Sequence, residues 1–361
     1  MMKQLNFILL AIPCVLFSAA CSRSSYTADR RVDYSQVDDP MAVQVYLGSP
    51  GGGMDVKSAG ALDGVDSFAG RNIKVYAFSS EEGVNWREEK APSGAPVCLV
   101  NGLEARVEGS DHRAWWLCEP SRTPAYPNME LCLAPYDFYA CYLDDCAYTE
   151  TRTSDAVYLD LSINGHQDLM SSTAPQPKEG SFCYVNARRN VHPVFVMQHA
   201  LVKMRFRVKG GLLEGVNPEE IAVYDLKVTG PSQGRFCVAG KEQGLVLSGS
   251  TVFPYQNADG TPADEVTVWT SSDVETPDSE ATFIGGEGAC LLMAPASEYA
   301  YSVHVGNREK AYENKLQLSQ GFQAGKVYTF TLSVFGHNNV VVTIDEQPWE
   351  EGEELEGTDD V

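Results

Sequence analysis

Along most of its length the chain alternates apolar and polar residues with a period of two, the spacing of a half-buried β-strand. The clearest run lies within residues 192–208, where Val202, Met204, Phe206 and Val208 alternate with Lys203, Arg205 and Arg207. The same pattern predicts strands at residues 41–47 (MAVQVYL), 73–79 (IKVYAFS), 97–107, 114–118, 137–143 (DFYACYL) and 157–163 (VYLDLSI). It resumes after Gly210-Gly211 at residues 221–228, 235–238, 245–248, 266–270, 289–294, 300–305, 315–318 and 326–335. Turn signals about 8–12 residues apart point to an all-β protein of β-sandwiches. Two sandwiches fit, meeting near residues 188–194.

The first and last strands stand apart from this series. In residues 41–47, Val43, Val45 and Leu47 share one face, and Gly48-Ser49-Pro50-Gly51-Gly52-Gly53 then breaks the pattern. A loose segment to residue 70 makes the first strand a piece joined to the rest by a protease-accessible loop. At the other end, the run Val340, Val341, Val342, Thr343, Ile344 is β-branched on both faces and follows the turn Gly336-His337-Asn338-Asn339. An ordinary edge hairpin with residues 327–334 is one reading of it, and an extended segment free to leave is the other. Beyond it, residues 345–361 hold nine acids and no base, the composition of a solvated tail. The Lys203, Arg205, Arg207 stripe reads as a solvated sheet face. Residues 171–180 read as a Pro-rich loop, and Asn217-Pro218-Glu219-Glu220 as a one-turn helix start.

Composition adds a destination. Lys3 followed by the apolar run 7–17 (FILLAIPCVLF) and the small residues Ser18-Ala19-Ala20 before Cys21 reads as an export signal, too short to span a bilayer. The cysteine placed there, with polar SRSSYTADRR after it, points to lipidation of Cys21 once residues 1–20 are removed, although Ser18 stands where Leu is usual. About 340 residues then remain, enough for two domains with their own cores. Acids outnumber bases 49 to 27, giving a net charge of -22, which argues against a nucleic-acid partner. Cys98, Cys118, Cys132, Cys141, Cys146, Cys183, Cys237 and Cys290 allow one or two disulfides at most, with Cys141 and Cys146 the nearest pair. They lack the paired spacing of a zinc site, and no metal or other cofactor is expected.

No catalytic constellation emerges. Gly230-Pro231-Ser232-Gln233-Gly234 matches G-x-S-x-G by letter, but a β-run follows where a nucleophile elbow needs a helix, so a hairpin turn is expected. His112, His166, His192, His199, His304 and His337 show no metal spacing, and His199 reads as a packed or edge residue. Asp144-Asp145 fits a turn. Of Trp115-Trp116, which could stack on a sugar, at least one should be core because neighbouring strand residues face opposite ways.

Taken in order, the lipoprotein start, IKVYAF (73–78), DFYACY (137–142), QDLM (167–170), QHALVKMRF (198–206), GFQAGKVYTFTL (321–332) and PWEEG (348–352) resemble the fimbrillin-like proteins of Bacteroidales, subunits of type V pili. The resemblance implies two tandem β-sandwich domains of transthyretin-like form with Greek-key character. It divides the chain into a signal (1–20), a tether with removable first strand (21–57), sandwiches at 58–190 and 191–345, and an acidic tail (346–361). It further implies export as a lipoprotein to the outer membrane, proteolysis that frees the strand of Val43, Val45 and Leu47, and assembly with other subunits by strand donation, here from residues 340–344, into an adhesive surface fibre. A host or bacterial surface ligand is implied with it, and no enzymatic activity. Family members are usually cut after an Arg in a Thr-Arg-Ala-like stretch, whereas this chain reads Val56-Lys57-Ser58-Ala59, which makes Lys57 the candidate cut and Arg71 the nearest Arg downstream. The alternative is a monomeric surface lipoprotein adhesin, or a pilus anchor, that keeps its N-terminal segment and binds glycan or host protein.

Overall fold

Period-two alternation becomes strand wherever one face has a core to meet. In the computed structural model the described residues are 42–48, 68–108, 112–127, 129–177, 180–210, 223–241, 244–256, 281–286, 288–305, 311–336 and 339–349, all within the unit Val32–Val361. The signal, Cys21, Lys57, the helix start at 217–220, the strand expected at 266–270 and the tail beyond residue 349 lie outside them. The architecture is all-β, with one short α-helix among the described residues, at Tyr184–Ala187, and 3-10 turns at Pro120–Arg122 and Met129–Leu131.

The largest sheet has eight strands, built from Val45–Leu47 (β1), Asn72–Ser79 (β2), Cys98–Glu108 (β3), Arg113–Trp116 (β4), Tyr136–Tyr142 (β5), Met170–Thr173 (β8), Val194–Phe195 (β9) and Gln198–His199 (β10). Its order is β10-β8-β5-β2-β3-β4-β1-β9. The two edge strands are separated only by Val196 and Met197, a link of at most about 11 Å. The sheet therefore wraps until its edges approach, enclosing Val43, Val45, Leu47, Ile73, Val75, Val107, Trp116, Phe138 and Phe195.

A second interior lies between two other sheets. One pairs Val202–Gly210 (β11) with Thr282–Phe283 (β16), Leu291–Met293 (β17) and Lys326–Gly336 (β20), and is edged by Asn339–Pro348 (β21). The other runs Thr251–Pro254 (β15), Val223–Gly230 (β12), Ala296–Val305 (β18), Tyr312–Phe322 (β19). Met204, Phe206, Val208, Phe330 and Leu332 fill the space between them. Lys203, Arg205 and Arg207 alternate onto the opposite face, as their period requires, where the two guanidinium groups lie 4.0 and 4.1 Å from the Phe283 ring.

A fourth sheet takes strands from both halves of the sequence. Tyr148–Arg152 (β6) and Val157–Ser162 (β7) join Gln233–Ala239 (β13) and Gly244–Ser248 (β14) in the order β14-β13-β7-β6. Its inner face meets the back of the eight-stranded sheet in a third interior containing Tyr76, Phe78, Tyr139, Leu159, Phe236 and Trp349.

Four expectations are corrected. The run at 192–208 is three strands, not one, because the chain leaves the first sheet at His199 and enters another at Val202. Residues 170–173 at the start of the supposed Pro-rich loop are strand β8. Pro231-Ser232 does not close a hairpin: β12 and β13 belong to different sheets, and the Ser232 carbonyl accepts a bond from the Ile163 N–H at 2.8 Å. None of the eight cysteines among the described residues is in a disulfide. Cys141 and Cys146 do not bridge although both line the third interior: burial pushes the Cys141 thiol up to about 12, and the Cys146 Sγ donates to Gln167 Oε1 at 3.2 Å.

The buried tyrosines make alkaline stability a test of this packing. Burial raises the phenols of Tyr76, Tyr136, Tyr139, Tyr255 and Tyr299 above their ordinary value. A raised folded-state pKa favours the neutral phenol, so the contribution is intact below about pH 10, the unfolded value, and is lost as pH climbs toward the folded one. Titration followed by tyrosinate absorbance should show these phenols ionising together with the loss of β circular dichroism. Smooth ionisation with the fold intact would contradict the assigned core.

Candidate functional site

The first strand forms because Val43, Val45 and Leu47 alternate, and it stays because all three are at most 4% exposed. β1 lies between two neighbours. It runs antiparallel to β4 through Val45↔Ala114 and parallel to β9 through Tyr46↔Val194 and Leu47↔Phe195. Its backbone is bonded on both sides: Val43 N–H to Pro124 O (2.9 Å) and Leu47 N–H to His112 O (3.0 Å) toward β4, Tyr46 N–H to Pro193 O (3.0 Å) and Gly48 N–H to Phe195 O (2.8 Å) toward β9. Trp116 is the buried member of the tryptophan pair, and its Nε1 donates to Val43 O at 2.7 Å. Trp115 is half-buried beneath the Arg113 guanidinium at 3.9 Å.

Residues 42–48, with β1 at their centre, are thus a plug completing a core that is otherwise built, among the described residues, from residue 68 onward. Arg71 is exposed, yet its carbonyl accepts from Val107 N–H at 3.0 Å and Asn72 begins β2. Cutting after Arg71 means unpairing β2 from β3, so the bond is a poor protease target while the sheet is intact.

The last strand is an edge hairpin. β21 pairs with β20 from Gly336↔Asn339 to Lys326↔Pro348, which makes the strand longer than residues 340–344. Val340, Val342 and Ile344 pack on the second interior, and Val341 is 47% exposed on the other face. Thr343 is exposed. Burial is deep only at the two ends, Val340 at 6% and Trp349 at 8%. Trp349 leaves the hairpin for the third interior. Its indole stacks on the His199 ring at 3.6 Å and 7°, with Lys203 Nζ 5.3 Å from the ring and the Trp349 N–H bonded to Gly325 O at 2.9 Å. His199 Nδ1 lies 2.9 Å from Asp168 Oδ2 and 3.2 Å from Oδ1.

Elsewhere the candidate chemistry does not assemble. Asp144 and Asp145 occupy left-handed turn positions, φ 44° and 60°, and Asp144 accepts from the Tyr142 hydroxyl at 2.7 Å. A hollow beside Trp86, Arg87, Cys98 and Arg152 offers no open aromatic platform, because Trp86 is buried with Phe78 stacked on it at 4.0 Å. Among the described residues no group of three or more His, Cys, Asp or Glu gathers as a metal site.

The His199–Trp349 stack was not legible from spacing: Trp349 borders an acidic tail and His199 lies 150 residues earlier, so only the fold brings them together.

No protein-family model matches this chain, and no curated protein does. Similar solved structures include a fimbrial protein from Bacteroides vulgatus (12% identity, TM-score 0.49, 86% of this chain and 99% of that one). Others are the fimbrial anchor protein Mfa2 (12%, 0.40, 86% and 99%) and the tip fimbrial protein Mfa3 with C-terminal truncation (7%, 0.40, 85% and 99%), both from Porphyromonas gingivalis.

Proposed function

We propose that this chain is a subunit of an adhesive cell-surface fibre, exported as a lipoprotein on Cys21 and joined to its neighbours by exchange of a β-strand. The observation that carries the reading is the seat of β1. A strand near the N-terminus, bonded on both sides and filled by Val43, Val45 and Leu47, occupies a groove that any extended segment of matching pattern could refill. β21 supplies such a segment, since among the described residues it pairs on one side only, and it presents Val340, Val342 and Ile344 at alternate positions.

Maturation is the step that separates this reading from a lipid-held anchor or monomeric adhesin. The tie of Arg71 into the sheet leaves Lys57 as the basic residue available in the connecting segment, and the missing Arg there is what favours the anchor reading. Mass spectrometry of the N-terminus of surface-sheared polymer should find Ser58, and palmitate-analogue labelling should tag the precursor but not Cys21→Ala. Polymerised protein that begins at Cys21 would rule out strand removal and support the anchor.

A further inference from the structure

We propose that residues 194–199 are a coupling element through which loss of β1 releases β21. The inference rests on the strand-exchange reading above, and its test reads the isolated subunit so that the two can fail separately.

β9 and β10 are short for a reason visible in the register. Among the described residues, Val194–Phe195 pairs with β1 alone and Gln198–His199 with β8 alone. Between them, Val196 and Met197 carry the chain from one edge of the sheet to the other. Phe195 is fully buried in the first interior beside Leu47, and Met197 packs against the same cluster. Four residues after Phe195, His199 faces the third interior and carries the Trp349 ring. One six-residue segment is therefore the neighbour of the removable strand at one end and the seat of the final strand at the other.

The seat is well defined. Asp168 fixes the His199 ring, and the Asp168 N–H is itself held by Asp144 Oδ2 at 3.2 Å. Gly325 binds both sides of the junction: its N–H goes to Leu201 O and its carbonyl receives the Trp349 N–H, each at 2.9 Å. Removing β1 strips β9 of its ladder partner, because the Pro193 and Phe195 carbonyls lose the Tyr46 and Gly48 N–H groups. A two-residue link cannot isolate that change from His199. β21 is half-exposed along its middle, and at its C-terminal end the chain is held in the third interior by Trp349, so loosening the His199 seat acts on that end of the strand first.

Such coupling is an equilibrium property and must be reciprocal, so it is testable without cutting the chain. Hydrogen exchange is measured on the full-length monomer and on Trp349→Ala, Trp349→Phe and Val342→Ala. Trp349→Ala should speed exchange of the β21 amides and of Tyr46 and Gly48, which face β9, by about tenfold, within the usual range of coupling between sites. Leu47, which faces β4, should keep its protection. Trp349→Phe, which preserves a stacked ring, should restore slow exchange at Tyr46 and Gly48. Val342→Ala should loosen β21 and leave Tyr46 and Gly48 unchanged. Faster exchange in β21 alone after Trp349→Ala would overturn the coupling, as would equal acceleration at Leu47, the mark of general destabilisation. Polymerisation is a separate readout: correct exchange behaviour with no strand exchange would sink the assembly reading and leave the coupling intact.

Discussion

A chain lacking residues 42–48 is expected to lose most of its cooperative stability and to regain it when a peptide of that sequence is added. Val43, Val45 and Leu47 are 1%, 0% and 4% exposed. Their burial contributes about 1.5–3 kcal/mol each, an upper range because unfolded chains already bury some apolar surface. Trp116 Nε1, 2.7 Å from Val43 O, would lose its acceptor inside the core, at a cost of about 1–3 kcal/mol. The total rivals the whole stability of an ordinary domain, about 5–15 kcal/mol. Calorimetry of the deletion should show a fall in melting temperature of more than about 10 °C, or no transition at all, with recovery on addition of the peptide. Val45→Asp in the intact chain places an unpaired carboxylate in the same interior and should be comparably damaging. A deletion that melts as the full chain does would remove the groove, and strand exchange with it.

Truncation before residue 340 is expected to do the opposite: the subunit folds and is exported but forms no ladder on a gel. β21 contributes one fully buried side chain from residues 340–344, Val340, and two half-buried ones, Val342 and Ile344. It also brings a Tyr312 hydroxyl bond to Val340 O at 3.3 Å and ties at Glu346 from Lys326 and Gln320 at 3.3 and 3.1 Å. The exposed ion pair counts for little; the strand's own side chains account for about 3–6 kcal/mol, and Trp349, which leaves the third interior with it, adds about 3–5 kcal/mol, a loss borne by one sheet edge and one corner of a core. The decisive effect is on assembly, because the truncated chain keeps its groove and has nothing to donate. A peptide of residues 339–349 should bind a subunit whose β1 has been removed. Normal ladders from the truncated chain would place the donor elsewhere.

These two strands were legible early for the same physical reason. Both carry strand-forming side chains, alternating on one face at Val43, Val45 and Leu47 and β-branched on both faces at residues 340–344, and the Gly-rich stretch after Gly48 says that the first strand is a separate piece. β2, β5, β7 and β11 were equally plain, each with a buried face. β6 was missed because its residues YTETR are almost wholly exposed and carry no apolar alternation. β8 was missed because MSST lies against a Pro-rich stretch. That at least one of Trp115 and Trp116 is core was anticipated from the pleat alone, whereas the choice of Trp116 and its bond to Val43 O could not be, since 73 residues separate the two bonded residues.

The sequence by itself determined that the chain is all-β, which faces of its strands are apolar, and that its first and last strands are set apart, because the two-residue repeat and the turn residues act locally. Only the tertiary structure decided partners. It placed β13 beside β7, divided residues 192–208 among three strands in two sheets, sent Pro231-Ser232 between sheets, and stacked Trp349 on His199. Periodicity states that a face must be buried, but what buries it is settled by competition among all such faces in the folded chain, and no window of sequence contains that competition.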